Sequence, residues 1–248
     1  MWAIALKDLR SLFLSPLAWV VLAVMQFILA RGFIVRVGEF IDTAPFRAAR
    51  ENAWGVTDAV VVFTLGDASL FLLILPLMTM RLISDERRNR TLPLLKSAPL
   101  TMTQIVLGKF LGISLFNLLI TLLVALMPLS LLTGATIDLG KLATGILGLF
   151  LMLEAIAAAG LYFSALTASP TLAAVGTYGL LLFLLLIQAA GSADNEWKVL
   201  LDYLSLSGHF IPFLKGIISS RDLGYYGLFT ATFLILAVRH LDAERLGG

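Results

Sequence analysis

The fold is decided by the run LATGILGLFLMLEAIAAAGLYFSAL, residues 142–166, in which Glu154 is the sole charged side chain. A helix that crosses a bilayer needs about 20 predominantly apolar residues, and this run meets that length. It lacks the polar and apolar alternation that is typical of a transmembrane β-strand. The run therefore predicts a membrane-spanning helix.

Five more apolar runs flank this one on both sides. Only 14% of the chain is charged and 59% is hydrophobic, with a mean hydropathy of +0.96, whereas soluble domains carry about 25% charged residues. We predict an all-α, polytopic membrane protein in which residues 1–248 form one transmembrane domain of about six spans. The other five predicted spans cover residues 17–35, 59–83, 105–132, 172–190 and 223–238.

Composition excludes several classes of function. The formal charge of +2 is too small to indicate a nucleic-acid partner. The absence of cysteine excludes disulfides, thiolate catalysis and zinc–cysteine sites. His209 and His240 lie in different predicted segments, so we expect no metal site and no catalytic residue set.

Basic residues indicate how the chain is inserted. Lysine and arginine collect in cytoplasmic loops, and the connection between the second and third predicted spans is the richest in them. We therefore expect this loop and, with an even number of spans, both termini to be cytoplasmic. The basic residues of this connection are Arg81, Arg87, Arg88, Arg90, Lys96 and Lys109.

The first residues form a predicted amphipathic helix that precedes the first span. Its apolar positions, Trp2, Leu6, Leu9 and Phe13, recur at helical spacing, and Lys7 and Arg10 fall on the other face. Such a helix lies in the interface of a membrane, with a bilayer as its partner. We expect the membrane-interface anchors to be Trp2, Lys7 and Arg10.

The loop at residues 83–99 holds the main functional candidates. Its first half is densely charged, and its second half predicts a short cytoplasmic helix capped by Thr91. Leucines on that helix need a partner, which is either protein or the bilayer itself. In the alternative reading the charges merely set topology and the leucines rest on lipid. The next span opens with a capping box formed by Thr101 and Gln104.

Within residues 142–166, Glu154 lies near the middle of the predicted span. A carboxyl group at that depth must face protein, water or a partner, and small neighbours such as Ala158 and Gly160 permit close helix approach. We consider two hypotheses for these three residues: a translocation path or subunit interface, and a buried carboxyl group with a structural role.

Several motifs resemble ABC-2 type permeases, and the gliding-motility-associated branch most closely. They are Pro76 to Arg81, Ser84-Asp85-Glu86-Arg87-Arg88, Thr91 to Leu95 and Ile105 to Phe110. Leu6 to Arg10 and Leu204 to Phe210 are similar too, so the resemblance covers nearly the whole chain. The family commonly has Gly at the position of Arg90, and we expect Asn89 to supply the turn instead. Pro93 replaces a usual acidic residue.

The resemblance implies a half-transporter of an ATP-driven exporter in the bacterial plasma membrane. It would pair with a second permease copy or a related permease and with two ATP-binding subunits, which hold ATP and Mg. The loop helix would be a coupling helix in a cleft of the ATPase. The implied ATPase-coupling residues are Asp85, Glu86, Arg87, Arg88, Arg90, Thr91, Leu92, Leu94, Leu95 and Lys96.

The chain itself contains no Gly-x-x-x-x-Gly-Lys-Ser/Thr motif, so ATP chemistry is expected from a partner. Three alternatives stay open from the residues: an intramembrane enzyme using Ser164, an ion-coupled secondary transporter, and a structural membrane-assembly subunit. The substrate, and whether two permeases are identical, also stay open.

Overall fold

The computed structural model describes residues 2–43, 55–91, 100–191, 201 and 203–246, and these contain helices and no strand. The helices in chain order are α1 (Trp2–Leu14), α2 (Pro16–Asp42), a π-helical turn (Thr57–Val61), α3 (Val62–Asp67), a 3₁₀-helix (Ala68–Leu73), α4 (Leu75–Thr79), α5 (Ser84–Arg88), α6 (Met102–Ser130), α7 (Leu139–Leu166), α8 (Pro170–Gly191), α9 (Phe210–Leu214) and α10 (Ser220–Leu246).

The predicted all-α class is confirmed. In the described part of the chain, four helices are long and apolar enough to cross a membrane: α2, α6, α7 and α8. A fifth candidate joins Thr57–Leu73 to Leu75–Arg88 across a 40° bend. The sixth predicted span lies within α10, which has 27 residues but is not apolar enough to count among these candidates.

The second predicted span is broken, although its sequence reads as one apolar run. Pro76 has no N–H to donate at the break, and Leu77 donates to Ile74 O instead of continuing a regular helix. The carbonyl of Leu73 is thereby released and accepts a hydrogen bond from the Tyr178 hydroxyl of α8 at 2.6 Å. Irregular backbone at membrane depth needs such partners because lipid offers none.

Helix α7 forms the centre of the bundle. It contacts α4, α6, α8, α9 and α10. Of the 18 most apolar consecutive residues of α7, 67% are buried inside the protein, against 22% for the corresponding stretch of α2. Helix α6 begins at the predicted capping box, in which Thr101 Oγ1 accepts from Gln104 N and Gln104 Oε1 accepts from Thr101 N, both at 3.2 Å. That prediction is confirmed.

Helix α1 packs along α6 through a polar face that the sequence pattern did not reveal. Its buried residues are Ala5 and Asp8, whereas Trp2 is 60% exposed and Leu6 is 46% exposed. The two helices touch closely at Gly112, where an added Cβ would lie 3.1 Å from Ala5 O. The predicted apolar stripe of α1 is thus divided. Trp2 and Leu6 are exposed, as expected of an interfacial helix, whereas Leu9 and Phe13 pack against the core of the bundle.

Candidate functional site

A hydroxyl group of α7 accepts hydrogen bonds from the backbone at the start of the segment Ser84–Thr91. The backbone N–H groups of Ile83 and Ser84 both donate to Ser164 Oγ at 3.0 Å, and the Ser164 hydroxyl donates to Met80 O at 2.8 Å. Ser164 is fully buried and satisfies amides at the start of α5 that have no intrahelical partner. Its hydroxyl is a structural anchor here, which removes the serine on which the intramembrane-enzyme alternative rested.

A buried lysine connects α5 to α1 and α6. Lys109 Nζ lies 2.9 Å from Glu86 Oε1 and 3.1 Å from Asp8 Oδ2, and its side chain is 1% exposed. Lys7, which is 64% exposed, reaches the same Glu86 oxygen at 3.2 Å. Because a buried charge is tolerated when it is paired, these contacts hold three separate helices in one arrangement.

Arg87 connects α5 to two further long helices, α7 and α10. Arg87 donates to both carboxylate oxygens of Glu244 in α10, at 2.6 and 3.1 Å, and to Ala165 O near the end of α7, at 2.5 Å. A bidentate arginine–carboxylate pair is directional as well as strong. A displacement of α5 must therefore act on α7 and α10 together.

The other charged side chains of the segment point outward. Asp85 is half-buried, Arg88 is exposed, and both line an open cavity of about 610 Å³ together with exposed Arg81. The start of α8, at Ser169 to Thr171, forms the opposite wall. Arg81 and Arg88 make no ion pair within the described residues, so their charges are available to a partner.

The end of α5 corrects the expectation about Asn89. Asn89 has φ −82°, whereas Arg90 has φ 57°, the left-handed conformation. Thr91 N donates to Glu86 O at 2.9 Å and Arg90 N donates to Arg87 O at 3.2 Å. This pair of bonds is the Schellman C-cap, which places residue 90, and not residue 89, at the position that favours glycine.

The predicted ATPase-coupling residues thus divide into two groups. Glu86 and Arg87 are tied into the bundle, and Asp85, Arg88, Arg90 and Thr91 lie at or near the surface. Leu92, Leu94, Leu95 and Lys96, with the predicted helix they belong to, lie outside the described residues. Their role in coupling stays a prediction.

The three residues considered for a translocation path or subunit interface lie inside the bundle. Glu154 is 6% exposed; Asn117 donates to its Oε1 at 2.9 Å, and the Ser114 hydroxyl donates to its Oε2. Ala158 is fully buried, and a Cβ added to Gly160 would lie 2.0 Å from Thr79 Oγ1. These contacts join α7 to α6 and α4, and a role in translocation stays a prediction.

The expected membrane-interface anchors, Trp2, Lys7 and Arg10, are all exposed on α1.

At the opposite end of the bundle, His209 is buried and both of its ring nitrogens are engaged. Nδ1 lies 2.6 Å from Asp222 Oδ1, and Nε2 lies 2.9 Å from Tyr203 O. The imidazole therefore serves to fix the chain before α10.

The sequence pattern missed Asp8 and Glu244 as members of the site. Each lies far along the chain from its partner, and Asp8 lies on the side of α1 that packs on the bundle. A signal was present in Lys109, because a lysine that falls inside a run of apolar residues requires an acidic partner.

Together, the spans and the anchored segment define a multi-pass helical membrane protein with a surface segment linked rigidly to its long helices. Residues 2–237 match the family described as ABC-2 family transporter protein. The chain belongs to this family and is thus the transmembrane permease component of an ABC transporter, not its catalytic subunit. Family membership implies association with an ATP-binding subunit. No curated protein matches the chain.

Proposed function

We propose that the chain is the permease half of an ATP-driven exporter and that segment 84–99 is its coupling element. Two permeases, which are two copies of this chain or this chain and a relative, would associate with two ATP-binding subunits. Those subunits would hold ATP and Mg. The complex would reside in the bacterial plasma membrane with both permease termini cytoplasmic, and the motifs favour the gliding-motility-associated branch.

The observation that carries the proposal is the anchoring of α5. Glu86 reaches α1 and α6 through Lys109 and Asp8, and Arg87 reaches α7 and α10. A push on this short helix therefore acts on four long or interfacial helices at once. Exposed Arg81 and Arg88 offer positive charge beside it, which suits acidic side chains of a docked ATPase.

The docking test replaces Leu92, Leu94 and Leu95 with Asp together. We expect this variant to insert normally but to lose co-purification with its ATPase, or to leave ATP hydrolysis without transport. The matched control is Ile217→Asp with Ile218→Asp, two residues that are 56% and 54% exposed at the other end of the bundle. Normal transport by the leucine variant would refute the coupling assignment.

The topology test exploits the cysteine-free chain. Asn89→Cys and Ile218→Cys place single thiols at exposed positions on the two predicted sides. In intact cells a membrane-impermeant thiol reagent should modify residue 218 and spare residue 89 until the membrane is opened. Labelling of residue 89 from outside would place the segment where no cytoplasmic ATPase can reach it.

A further inference from the structure

Helix α2 exposes a charged residue on an otherwise apolar face. Its buried row consists of Ala18, Leu22, Met25 and Leu29, and it packs on the bundle. The other side carries exposed Val24, Phe27 and Ile34, and exposed Arg31 lies among them. Within the described residues, Arg31 has no hydrogen bond, ion pair or ring contact.

Arg31 lies in the last third of the first predicted span, residues 17–35. It is about 22 Å from the start of α2 and about 16 Å from its end at 1.5 Å per residue, and a bilayer core is about 30 Å thick. At 1.5 Å per residue Arg31 is about 6 Å from residue 35, where the first predicted span ends. An arginine inside a span faces protein or a water-filled space, or reaches the interface from near the end of the helix.

The broken span exposes an acidic residue at nearly the same level. Asp67 is paired with Arg36 of α2 at 2.5 Å, yet its side chain remains 41% exposed. A Cβ added to Gly32 would lie 3.7 Å from Asp67 Oδ2, so this carboxylate stands beside the residue that follows Arg31. A carboxylate has acceptor sites for more than one arginine.

We propose that these two exposed charges meet across an interface between two copies of this chain, Arg31 of each copy binding Asp67 of the other. This inference rests on the proposed function, which includes a second permease, and it commits that permease to be a second copy. Two copies inserted in the same direction are related by a twofold axis along the membrane normal. Each residue then keeps its depth in both copies, and Asp67 is an acidic group at the depth that Arg31 requires.

The surroundings of both residues suit this interface. Phe63 and Leu70, which flank Asp67 by about one turn, are 46% and 41% exposed, and Phe27 beside Arg31 is 71% exposed. Apolar side chains around a charge pair exclude water and lipid from it, which strengthens the electrostatic attraction. The twofold symmetry makes the pair occur twice.

The experiment uses two differently tagged full-length copies, expressed together with the ATPase. One copy carries Arg31→Cys and the other Asp67→Cys, and a short bifunctional thiol reagent joins them. Such a reagent is needed because an arginine–aspartate pair separates Cβ atoms by more than the about 4 Å of a disulfide. A second pair, Arg31→Cys with Leu70→Cys, keeps the bridge between Asp67 and Arg36 intact.

The control pair is Arg31→Cys with Leu126→Cys. Leu126 is 61% exposed on α6, close to the level at which Gln26 of α2 donates to Leu123 O. We expect several-fold more doubly tagged product from the pairs at 67 and 70 than from the control pair. Equal yields would indicate random collision and overturn the proposal.

The remaining outcomes separate this inference from the proposed function. If the tagged copies co-purify but residues 31 and 67 do not cross-link, the interface lies elsewhere and only this inference fails. If the copies do not co-purify while the ATPase still does, the second permease is a different chain, and the inference fails again. Loss of the ATPase from wild-type permease would instead refute the proposed function.

Discussion

Arg87 holds both carboxylate oxygens of Glu244, a residue 157 positions further along the chain, at 2.6 and 3.1 Å. The pair connects α5 directly to the last turns of α10. The C-terminal end of α10 is thus placed to move with α5.

Removal of this pair should loosen both of its ends. We expect Glu244→Ala to cost about 1 kcal/mol of local stability, within the range measured for contacting residues, and to raise local opening roughly 5-fold. Hydrogen–deuterium exchange of peptides covering residues 84–91 and 240–246 measures this. Asp242→Ala removes an exposed carboxylate from the same helix and should leave exchange unchanged; identical exchange in both variants would contradict the assignment.

Lys109 should be far more important than Lys7, although both contact the same oxygen of Glu86. Lys109→Met leaves Asp8 without a cation and Glu86 with only the exposed Lys7, and loss of one partner from a buried pair costs about 3–5 kcal/mol. Lys7 is 64% exposed, and Lys7→Gln should cost less than about 1 kcal/mol. Thermal unfolding in detergent compares the two.

A rescue variant tests the electrostatic cause of that difference. Asp8→Asn and Glu86→Gln, added to Lys109→Met, neutralise the two carboxylates that have lost Lys109 and should restore part of the lost melting temperature. If Lys109→Met is as stable as Lys7→Gln, the buried arrangement of α1, α5 and α6 is not the one formed in the membrane.

The sequence predicted what depends on local composition. Long apolar runs locate spans because the bilayer core favours apolar helices at any position in the chain. The capping box at Thr101 is visible in the sequence because its two partners are three residues apart. The break after Leu73 could not be located. Residues 59–83 read as one predominantly apolar run, and the hydroxyl that satisfies the released carbonyl comes from Tyr178, in another helix.

The charged site was predicted in its residues and not in its connections. The pattern Ser84 to Arg88 marked the segment, but Asp8, Ser164 and Glu244 become its partners only through packing of distant helices. The expectation for Asn89 was wrong because amino-acid preference alone does not set register. The bonds from Thr91 and Arg90 determine which residue must be left-handed.

Glu154→Gln separates a structural role from a role in translocation. Glutamine retains an oxygen for Asn117, and Ser114 can accept from its amide in place of donating. We expect the melting temperature and transport to be close to wild type, whereas Glu154→Ala leaves the Asn117 amide unpaired at a cost of about 1–3 kcal/mol. Transport lost in Glu154→Gln at unchanged melting temperature would show that the carboxyl group itself acts in translocation.

Gly160 should not tolerate a side chain. A Cβ there would lie 2.0 Å from Thr79 Oγ1 and 2.7 Å from Thr79 Cβ, and overpacking of a core costs about 1–3 kcal/mol. Gly179 of α8 has nothing within 4 Å of an added Cβ. Thermal unfolding should show a lower melting temperature for Gly160→Ala and an unchanged or higher one for Gly179→Ala; the reverse order would refute the contact between α4 and α7.

The left-handed turn at residue 90 gives the final prediction. Arg90 has φ 57°, and a residue with a Cβ in this conformation costs about 1–2 kcal/mol. Arg90→Gly should therefore raise the local stability of the segment, and Arg90→Val should lower it because a β-branched side chain fits this conformation worst.

Asn89→Gly is the matched control for these variants. Asn89 has φ −82°, so glycine there relieves no strain and only adds freedom to the unfolded chain. Hydrogen exchange of residues 84–91 should rank protection as Arg90→Gly, wild type, then Arg90→Val, with Asn89→Gly at or below wild type. Protection gained by Asn89→Gly and lost by Arg90→Gly would mean that the Schellman cap is one residue out of place.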